Sequence, residues 1–125
     1  MLDISVRNGM MFVNRGDDFS FRIKLLANDC GDAYELSDKD GVYVGVMEPR
    51  GHFEDALIRK RYGKEDQNAD CEVVVSMKSS DTEKLLPGMY YIQAKLNQWV
   101  GTSESGEDSY EISTILPKTK FVVLD

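Results

Sequence analysis

The sequence predicts one all-β domain, an antiparallel β-sandwich of about seven to nine short strands with one short helical turn. Three observations predict this fold class. Apolar and polar residues alternate with a period of two in several stretches. Clusters of Gly, Pro, Asn and Asp interrupt these stretches about every ten residues, and no stretch has the length and period of a crossover helix. A closed barrel is the alternative architecture.

The composition is that of an ordinary globular protein with an acidic balance. The 125 residues fit a single domain, 1–125, with 42% hydrophobic and 30% charged residues. The 15 basic and 22 acidic residues give a net charge of -7. A surface with this balance repels a phosphate backbone, so we expect no nucleic-acid partner.

The sequence lacks the patterns of a membrane or secreted protein. No apolar run reaches the length of a membrane span, and the first residues lack the charged-then-apolar pattern of a signal peptide. We therefore expect no membrane partner and synthesis in the cytoplasm. In a reducing compartment the two cysteines, Cys30 and Cys71, are expected to remain thiols, although a disulfide between them stays an alternative.

The first part of the chain contains five predicted extended segments. The opening stretch Ile4–Val13, with the turn-forming Asn8-Gly9, predicts an edge hairpin or a bent strand. The other segments are Asp18–Leu26, the central strand Val42–Met47, Ala56–Tyr62 near a sheet edge, and Cys71–Met77. The polar stretches Ala27–Asp32 and Ser37–Gly41 between them are expected to be solvated loops.

The stretch Ser80–Leu96 has the clearest local pattern. Ser80 and Glu83 fit a capping box at the start of a helical turn, and Pro87-Gly88 ends it. A strand with a period of two follows from Tyr90. Beyond it, Trp99–Ser109 is rich in glycine, serine and acids and predicts a mobile loop. Two final strands, Tyr110–Leu116 and Thr119–Leu124, are expected on either side of Pro117.

The corner within this stretch resembles the tyrosine corner of immunoglobulin-like and fibronectin-type domains. In that corner a tyrosine hydroxyl binds to backbone a few residues upstream. The resemblance implies an immunoglobulin-like sandwich in which either Tyr90 or Tyr91 is largely buried and binds this backbone. Leu85 or Leu86 is expected to fill the end of the core. The structural corner residues are Leu85, Pro87, Gly88, Tyr90 and Tyr91.

No catalytic, cofactor-binding or metal-binding constellation stands out, and we predict a protein that is not an enzyme. The single histidine, His52, has no partner at ligand spacing. Asp38-x-Asp40-Gly41 lacks the rest of a calcium loop and is better explained as a solvated turn. Arg15-Gly16-Asp17 matches a cell-attachment tripeptide, but the simpler interpretation is a turn. The basic run 59–61 is split between two faces by strand alternation.

Six segments in chain order resemble a known family; they are 14–19, Tyr34-x-Leu36, Val42–Val46, 57–60, 81–91 and 118–123. The pattern resembles small immunoglobulin-like structural proteins of tailed phages and prophages in Gram-positive bacteria. Within that group, the chain resembles the N-terminal domain of siphophage baseplate upper proteins. The resemblance covers nearly the whole chain. It implies a location in the virion and, as partners, other phage structural proteins or further copies of this chain in a homo-oligomer.

Three function classes remain open at this point. A non-enzymatic structural or assembly module of a phage or prophage particle is the first hypothesis, with partners on strand edges and loops. An immunoglobulin-like adhesion or carbohydrate-binding module is the alternative, with Trp99 and Tyr110 as stacking groups. A hydrolase with catalytic groups remote in sequence is the third and has no positive support.

Overall fold

The computed structural model describes residues 10–26 and 32–125. Within these ranges the chain forms seven strands, one four-residue helix and two 3₁₀ turns, which confirms the all-β class. The strands are β1 (Met10–Asn14), β2 (Phe19–Lys24), β3 (Gly41–Met47), β4 (Ile58–Tyr62), β5 (Glu72–Met77), β6 (Gly88–Thr102) and β7 (Asp108–Leu124). The helix is α1 (Ser79–Thr82), and the 3₁₀ turns are Phe53–Asp55 and Lys64–Asp66.

The strands form two sheets. The larger sheet has the order β1-β7-β6-β3-β4, and the smaller sheet pairs β2 with β5. Strand β3 is therefore central and β4 lies at an edge, as the sequence predicts. The expectation of purely antiparallel pairing is wrong for one pair of strands, because β1 runs parallel to β7, with Met10 opposite Lys120. These two strands are far apart in sequence, so no hairpin forces them to run in opposite directions.

The hydrophobic core lies between the two sheets. Phe19 of β2 and Phe121 of β7 meet there with their ring centroids 5.2 Å apart. Alternate residues of each strand point inward, as the period of two predicts. The residues with at most 1% exposure include Met11, Leu36, Val42, Val44, Val46, Val73, Val75, Met77, Ile92, Ala94, Phe121 and Val123. The core is therefore built from both sheets.

A buried tyrosine links the edge of the larger sheet to the smaller sheet. Tyr62 of β4 is 8% exposed, and its hydroxyl donates to the backbone oxygen of Ser76 on β5 at 2.8 Å. Burial raises the pKa of Tyr62 to about 12, with a smaller contribution from nearby Asp66. The alternation in Ala56–Tyr62 predicts that Tyr62 faces the apolar side, but it does not identify the hydroxyl's partner, which lies 14 positions away in another strand.

The helical turn is present, but its predicted cap is wrong. The residue before α1 is Lys78, and its backbone N–H donates to the carboxylate of Asp81 at 3.1 Å. The box therefore starts two residues before Ser80, and Glu83 follows the helix. Asp81 is 8% exposed and also pairs with Lys60 of β4 at 3.0 Å. The Asp81 carboxylate thus binds the Lys78 N–H and the Lys60 ammonium at once, and it fixes the start of the helix at Ser79.

The C-terminal part of the chain differs most from the prediction. Residues 99–102 extend β6, and β7 begins at Asp108, so the expected long loop is reduced to the turn 103–107. Strand β7 also runs through Pro117, where the two predicted strands were expected to separate. The β6–β7 pairing shifts register between Ile92 and Ala94, opposite this proline. A bulge of this kind accommodates a residue without a backbone N–H.

Some predicted features lie outside the described residues. The turn Asn8-Gly9 and most of Ile4–Val13 fall there, whereas Met10–Asn14 is β1. Cys30 also falls there, so its pairing with the half-buried Cys71 stays untested.

Among the residues that the structure describes, no helix is both long and apolar enough to cross a membrane.

Candidate functional site

Strands β6 and β7 continue past the sandwich as a two-stranded ribbon. Strand β3 pairs with β6 only as far as Asn97, whereas β6 and β7 remain paired out to Thr102 and Asp108. We call residues 98–112 the arm. In the described chain, β7 has a second neighbour only over Lys120–Leu124, where β1 pairs with it. The outer edge of β7 along the arm therefore presents free backbone groups.

The arm carries apolar side chains on its surface. Val100, Tyr110 and Ile112 are 49%, 45% and 66% exposed. Tyr110 lies directly opposite Trp99 in the register of the two strands, so the two aromatic side chains share one face of the ribbon. Large exposed apolar side chains clustered on one projection are typical of a binding surface.

A buried carboxylate fixes the base of the arm. Asp40 is 1% exposed and accepts three hydrogen bonds, from the Tyr34 hydroxyl at 2.6 Å, the Ser37 N–H at 2.9 Å and the Trp99 N–H at 2.7 Å. The last bond replaces the ladder contact that β6 loses where β3 begins at Gly41. The solvated turn that the sequence predicts is thus wrong for Asp40.

The charge of Asp40 is stabilised by these donors. Burial alone would raise the pKa of Asp40, but the hydrogen bonds from Ser37, Tyr34 and Trp99 together hold it below its usual value. Burial, with a contribution from the same carboxylate, raises the pKa of Tyr34 to about 12. Asp40 therefore remains ionised at neutral pH, and its oxygens face the chain's own donors rather than a calcium ion.

A second set of contacts fixes the arm on its exposed side. Asp108 accepts from Thr102 Oγ1 at 2.7 Å, from Lys39 Nζ at 3.1 Å and from Trp99 Nε1 at 3.1 Å. These bonds, that from Thr102 first, lower the pKa of Asp108. The Lys39 ammonium also lies 4.8 Å from the centroid of the Trp99 ring. The ring is therefore covered on one side by the same lysine that binds Asp108.

The tip of the arm is an ordered acidic turn. The Ser103 N–H donates to the Glu107 oxygen at 2.7 Å, and the Gly106 N–H donates to the Ser103 oxygen at 2.9 Å. Gly106 has φ +86, a conformation that favours glycine. Glu104 and Glu107 are both exposed. Neither carboxylate has an ion-pair partner in the described part of the chain.

The outer face of the larger sheet carries a cluster of cations. Arg61, Tyr43 and Lys95 lie side by side on β4, β3 and β6. Arg59 lies two residues before Arg61 on the same face. We call Arg59, Arg61 and Lys95 the basic face. Across residues 10–26 and 32–125, none of the three has a carboxylate within ion-pair distance.

Aromatic rings hold these cations against the sheet. The Arg61 guanidinium lies 6.0 Å from the Tyr43 ring centroid, and Lys95 Nζ lies 5.0 Å from that of Phe53. Phe53 packs over Gly45, where an added Cβ would lie 3.0 Å from the ring. The basic run 59–61 is split as predicted, because Lys60 turns to Asp81 on the other side of β4.

The structure places the predicted corner residues at the start of β6. The Tyr90 hydroxyl donates to the Leu86 oxygen at 2.7 Å, and Leu85, at 2% exposure, fills the end of the core. Tyr90 and Tyr91 are both half-buried, so the expectation that one of them is largely buried is wrong. The acceptor residue Leu86 is 67% exposed, which places the corner bond near solvent. Pro87 and Gly88 are exposed, and Tyr91 lies opposite Met47 and Lys120. The corner lies at the opposite end of β6 from the arm.

The tripeptide Arg15-Gly16-Asp17 is bound to the helix region. The Arg15 guanidinium donates to the backbone oxygen of Glu83 through Nε at 3.1 Å and through Nη2 at 3.0 Å. The Gly16 N–H donates to Thr82 Oγ1 at 3.0 Å, and the same hydroxyl donates to the Asp17 oxygen at 2.9 Å. This tripeptide is therefore a structural turn that is fastened to α1.

The remaining candidates for chemistry stay apart. His52 is exposed in the loop before the 3₁₀ turn Phe53–Asp55, and Cys71 is half-buried before β5. Within the described ranges, no three His, Cys, Asp or Glu side chains come together as a group that could hold a metal ion.

Comparisons with protein-family models, with curated proteins and with solved structures found no match to this chain.

Proposed function

We propose that this chain is a non-enzymatic structural or assembly module of a phage or prophage particle, and that the arm is its main contact element. The observation that carries the proposal is the continuation of β6 and β7 beyond the core. The distal strands contribute little to the core, since Val100, Tyr110 and Ile112 remain exposed. A projection that the fold does not need for burial is available for a partner.

The free edge of β7 suits this role. Along the arm this edge can pair with an extended segment of another chain, which adds a strand to the ribbon. Backbone hydrogen bonds then supply affinity, and the side chains of Tyr110 and Ile112 supply specificity. A long unprotected edge is an aggregation hazard for a free monomer, so an interaction partner gives a reason to keep it.

The strand order supports the family resemblance. If β2 to β7 are equated with strands B, C, C′, E, F and G, the larger sheet has the order G-F-C-C′ opposite B-E. This order agrees with the sheets of immunoglobulin-like sandwiches. The strand order therefore supports the immunoglobulin-like fold that the family resemblance implies, and the location in a virion remains part of the proposal.

The polar groups near the arm support a structural role over a catalytic one. Asp40 and Asp108 each accept three hydrogen bonds from the chain itself, and the pKa of each is held below its usual value. A general base works best with a pKa near the operating pH. These carboxylates are instead suited to fixing the arm.

The alternative is an immunoglobulin-like adhesion or carbohydrate-binding module. One observation favours it, namely the direct pairing of Trp99 with Tyr110 on one face of the arm. Aromatic faces of this kind stack on sugar rings. Lys39 already covers the Trp99 ring, however, which leaves Tyr110 as the more accessible group. A glycan array with the wild type and Tyr110→Ala would separate the functions, since signals that this variant abolishes would favour the alternative.

Particle fractionation tests the main proposal. Virions from an induced culture of the host would be purified on a density gradient and probed for this protein. We expect it to band with the particles and its gene to lie among capsid, tail or portal genes. A protein that remains in the free fraction, encoded in a metabolic operon, would contradict the proposal.

A shortened arm tests which part of the chain makes the contact. Replacing residues 100–109 by Asn-Gly would join Trp99 to its partner Tyr110 through a tight turn. We expect the folded variant to be lost from the particles. Its incorporation at the wild-type level would show that another surface makes the contact.

A further inference from the structure

We infer that the acidic tip of the arm binds the basic face of a second copy of this chain, in a head-to-tail contact. This inference rests on the proposed function and names the partner of the arm. It joins two surfaces of the same molecule whose charged groups have no ion-pair partner among residues 10–26 and 32–125, namely Glu104 and Glu107 on one side and Arg59, Arg61 and Lys95 on the other.

The charge distribution is the first argument. The chain has a net charge of -7, so a patch that contains only cations is unlike the rest of its composition. Ion pairs join Lys39 to Asp108, Lys60 to Asp81 and Lys64 to Asp38, and none of these three involves the basic face. Complementary patches of opposite charge steer two proteins into a defined orientation.

Preorganisation is the second argument. The cations at 61 and 95 already lie over the rings of Tyr43 and Phe53, so little side-chain freedom is lost when an anion binds. The tip is likewise fixed by the hydrogen bonds of the turn 103–107. Arg61 and Lys95 are separated by one intervening strand, which places their backbones about 10 Å apart.

Geometry directs the contact to another molecule. Strand β6 carries the chain away from Lys95 by about 23 Å before it ends at Thr102, at about 3.3 Å per residue. A paired ribbon cannot fold back over this distance without breaking its ladder. The tip of one copy therefore cannot reach its own basic face and can only reach that of a neighbour.

The symmetry of the contact predicts the type of assembly. The tip and the face are different surfaces, so a contact that uses the tip of one copy and the face of the next is heterologous. Such contacts generate a ring when the rotation closes and a filament when it does not. In a dimer with a twofold axis, by contrast, the tip of each copy would have to contact the face of the other at the same time.

Charge reversal in sedimentation velocity experiments tests the inference. The face variant is Arg59→Glu with Arg61→Glu, and the tip variant is Glu104→Lys with Glu107→Lys. The matched control, Lys24→Glu with Lys84→Glu, changes two exposed lysines and has the same net charge as the face variant. Circular dichroism would establish that every variant is folded.

We expect the wild type and the control to associate at low salt and to dissociate in about 0.5 M NaCl, where exposed charges are screened. Each reversed variant should bind itself at least about 10-fold more weakly. An equimolar mixture of the two should associate again, because the lysines of one tip then face the glutamates of the other face.

Three results would overturn the inference. They are a wild type that stays monomeric at every concentration, a face or tip variant that associates as the wild type does, and a mixture that fails to recover. If the face variant alone loses association, the basic face binds acids other than those of the tip, and the inference is wrong as stated. Particle fractionation is independent of these results, so the proposed function can survive the loss of the self-contact.

Discussion

The two ends of strand β7 show how one strand can serve two purposes. Its C-terminal end, residues 120–123, lies between β1 and β6 and buries Phe121 and Val123 almost completely. Its N-terminal end pairs only with β6 among the described strands and exposes Tyr110 and Ile112. The first end is held by burial in a shared core, and the second by a ladder and a few polar contacts. From this difference we expect that the arm can change without loss of the fold.

The largest expected effect compares two aromatic residues on this one strand. Phe121→Ala removes a fully buried ring that contacts Phe19 across the sheets, and we expect it to reduce the free energy of unfolding by about 3–5 kcal/mol. Tyr110→Ala in the arm should change it by no more than about 0.5 kcal/mol. Urea denaturation of both variants measures the contrast. Equal losses would mean that the arm belongs to the core.

The second comparison concerns two tyrosine hydroxyl groups that bind to backbone oxygens. Tyr62→Phe leaves the buried contact with Ser76 unmade, and we expect a loss of about 1–3 kcal/mol. Tyr90→Phe removes the corner bond to Leu86 near solvent and should cost about 0.5–1 kcal/mol. If Tyr90→Phe lowered the denaturant midpoint more than Tyr62→Phe does, the corner bond would be the more important contact for stability.

The third prediction concerns the junction between the body and the arm. Asp40→Asn loses one acceptor oxygen and should destabilise the protein by about 1–2 kcal/mol at pH 7. The folded-state pKa of Asp40 lies below its usual value, so its stabilisation is present at neutral pH and is lost as the pH falls through that folded value. The difference between the wild type and the variant should therefore shrink below about pH 4.

Urea titrations of both proteins from pH 7 to pH 3 measure this difference. If the difference in free energy of unfolding between the wild type and the variant stays constant over the whole range, the charge of Asp40 is not what stabilises the junction.

The smallest expected effect concerns the exposed contacts of the arm. Lys39→Ala removes the ion pair with Asp108 and the cover of Trp99. Exposed pairs contribute little, so we expect amide hydrogen exchange in the arm to accelerate roughly two- to threefold while exchange in β3 stays unchanged. Lys24→Ala on β2 is the matched control. Faster exchange in β3 would indicate that the arm and the body open as one unit.

The body was predictable because its pattern is local. In β2 and β5 at least every second residue is buried, and this alternation can be recognised within six residues of sequence. The arm was not predictable in this way. Both of its faces contact solvent, so no apolar face alternates with a polar one, and glycine, serine and acids made it resemble a loop.

Long-range contacts account for the remaining misses. The burial of Asp40 was missed because its partner Trp99 lies 59 residues away. The alternation places Tyr62 on the apolar face of its strand, but it gives no sign of the Ser76 oxygen on the other sheet that the Tyr62 hydroxyl binds. The cation cluster was missed for the same reason, since Lys95 joins Arg59 and Arg61 only through strand pairing. The strand alternation that sends Lys60 to the other side of β4 could be recognised from the sequence. The position of Lys95 beside Arg61 could not, because it depends on how the strands pair.

The most direct test of the central claim uses the variant in which Asn-Gly replaces residues 100–109. Its free energy of unfolding and its sedimentation coefficient would be measured in the same low-salt buffer as those of the wild type. If the arm is separate from the folding unit and makes the contact between copies, stability should stay within about 1 kcal/mol of the wild type while association is lost. A variant that unfolds, or that remains folded and associates as the wild type does, would contradict the claim.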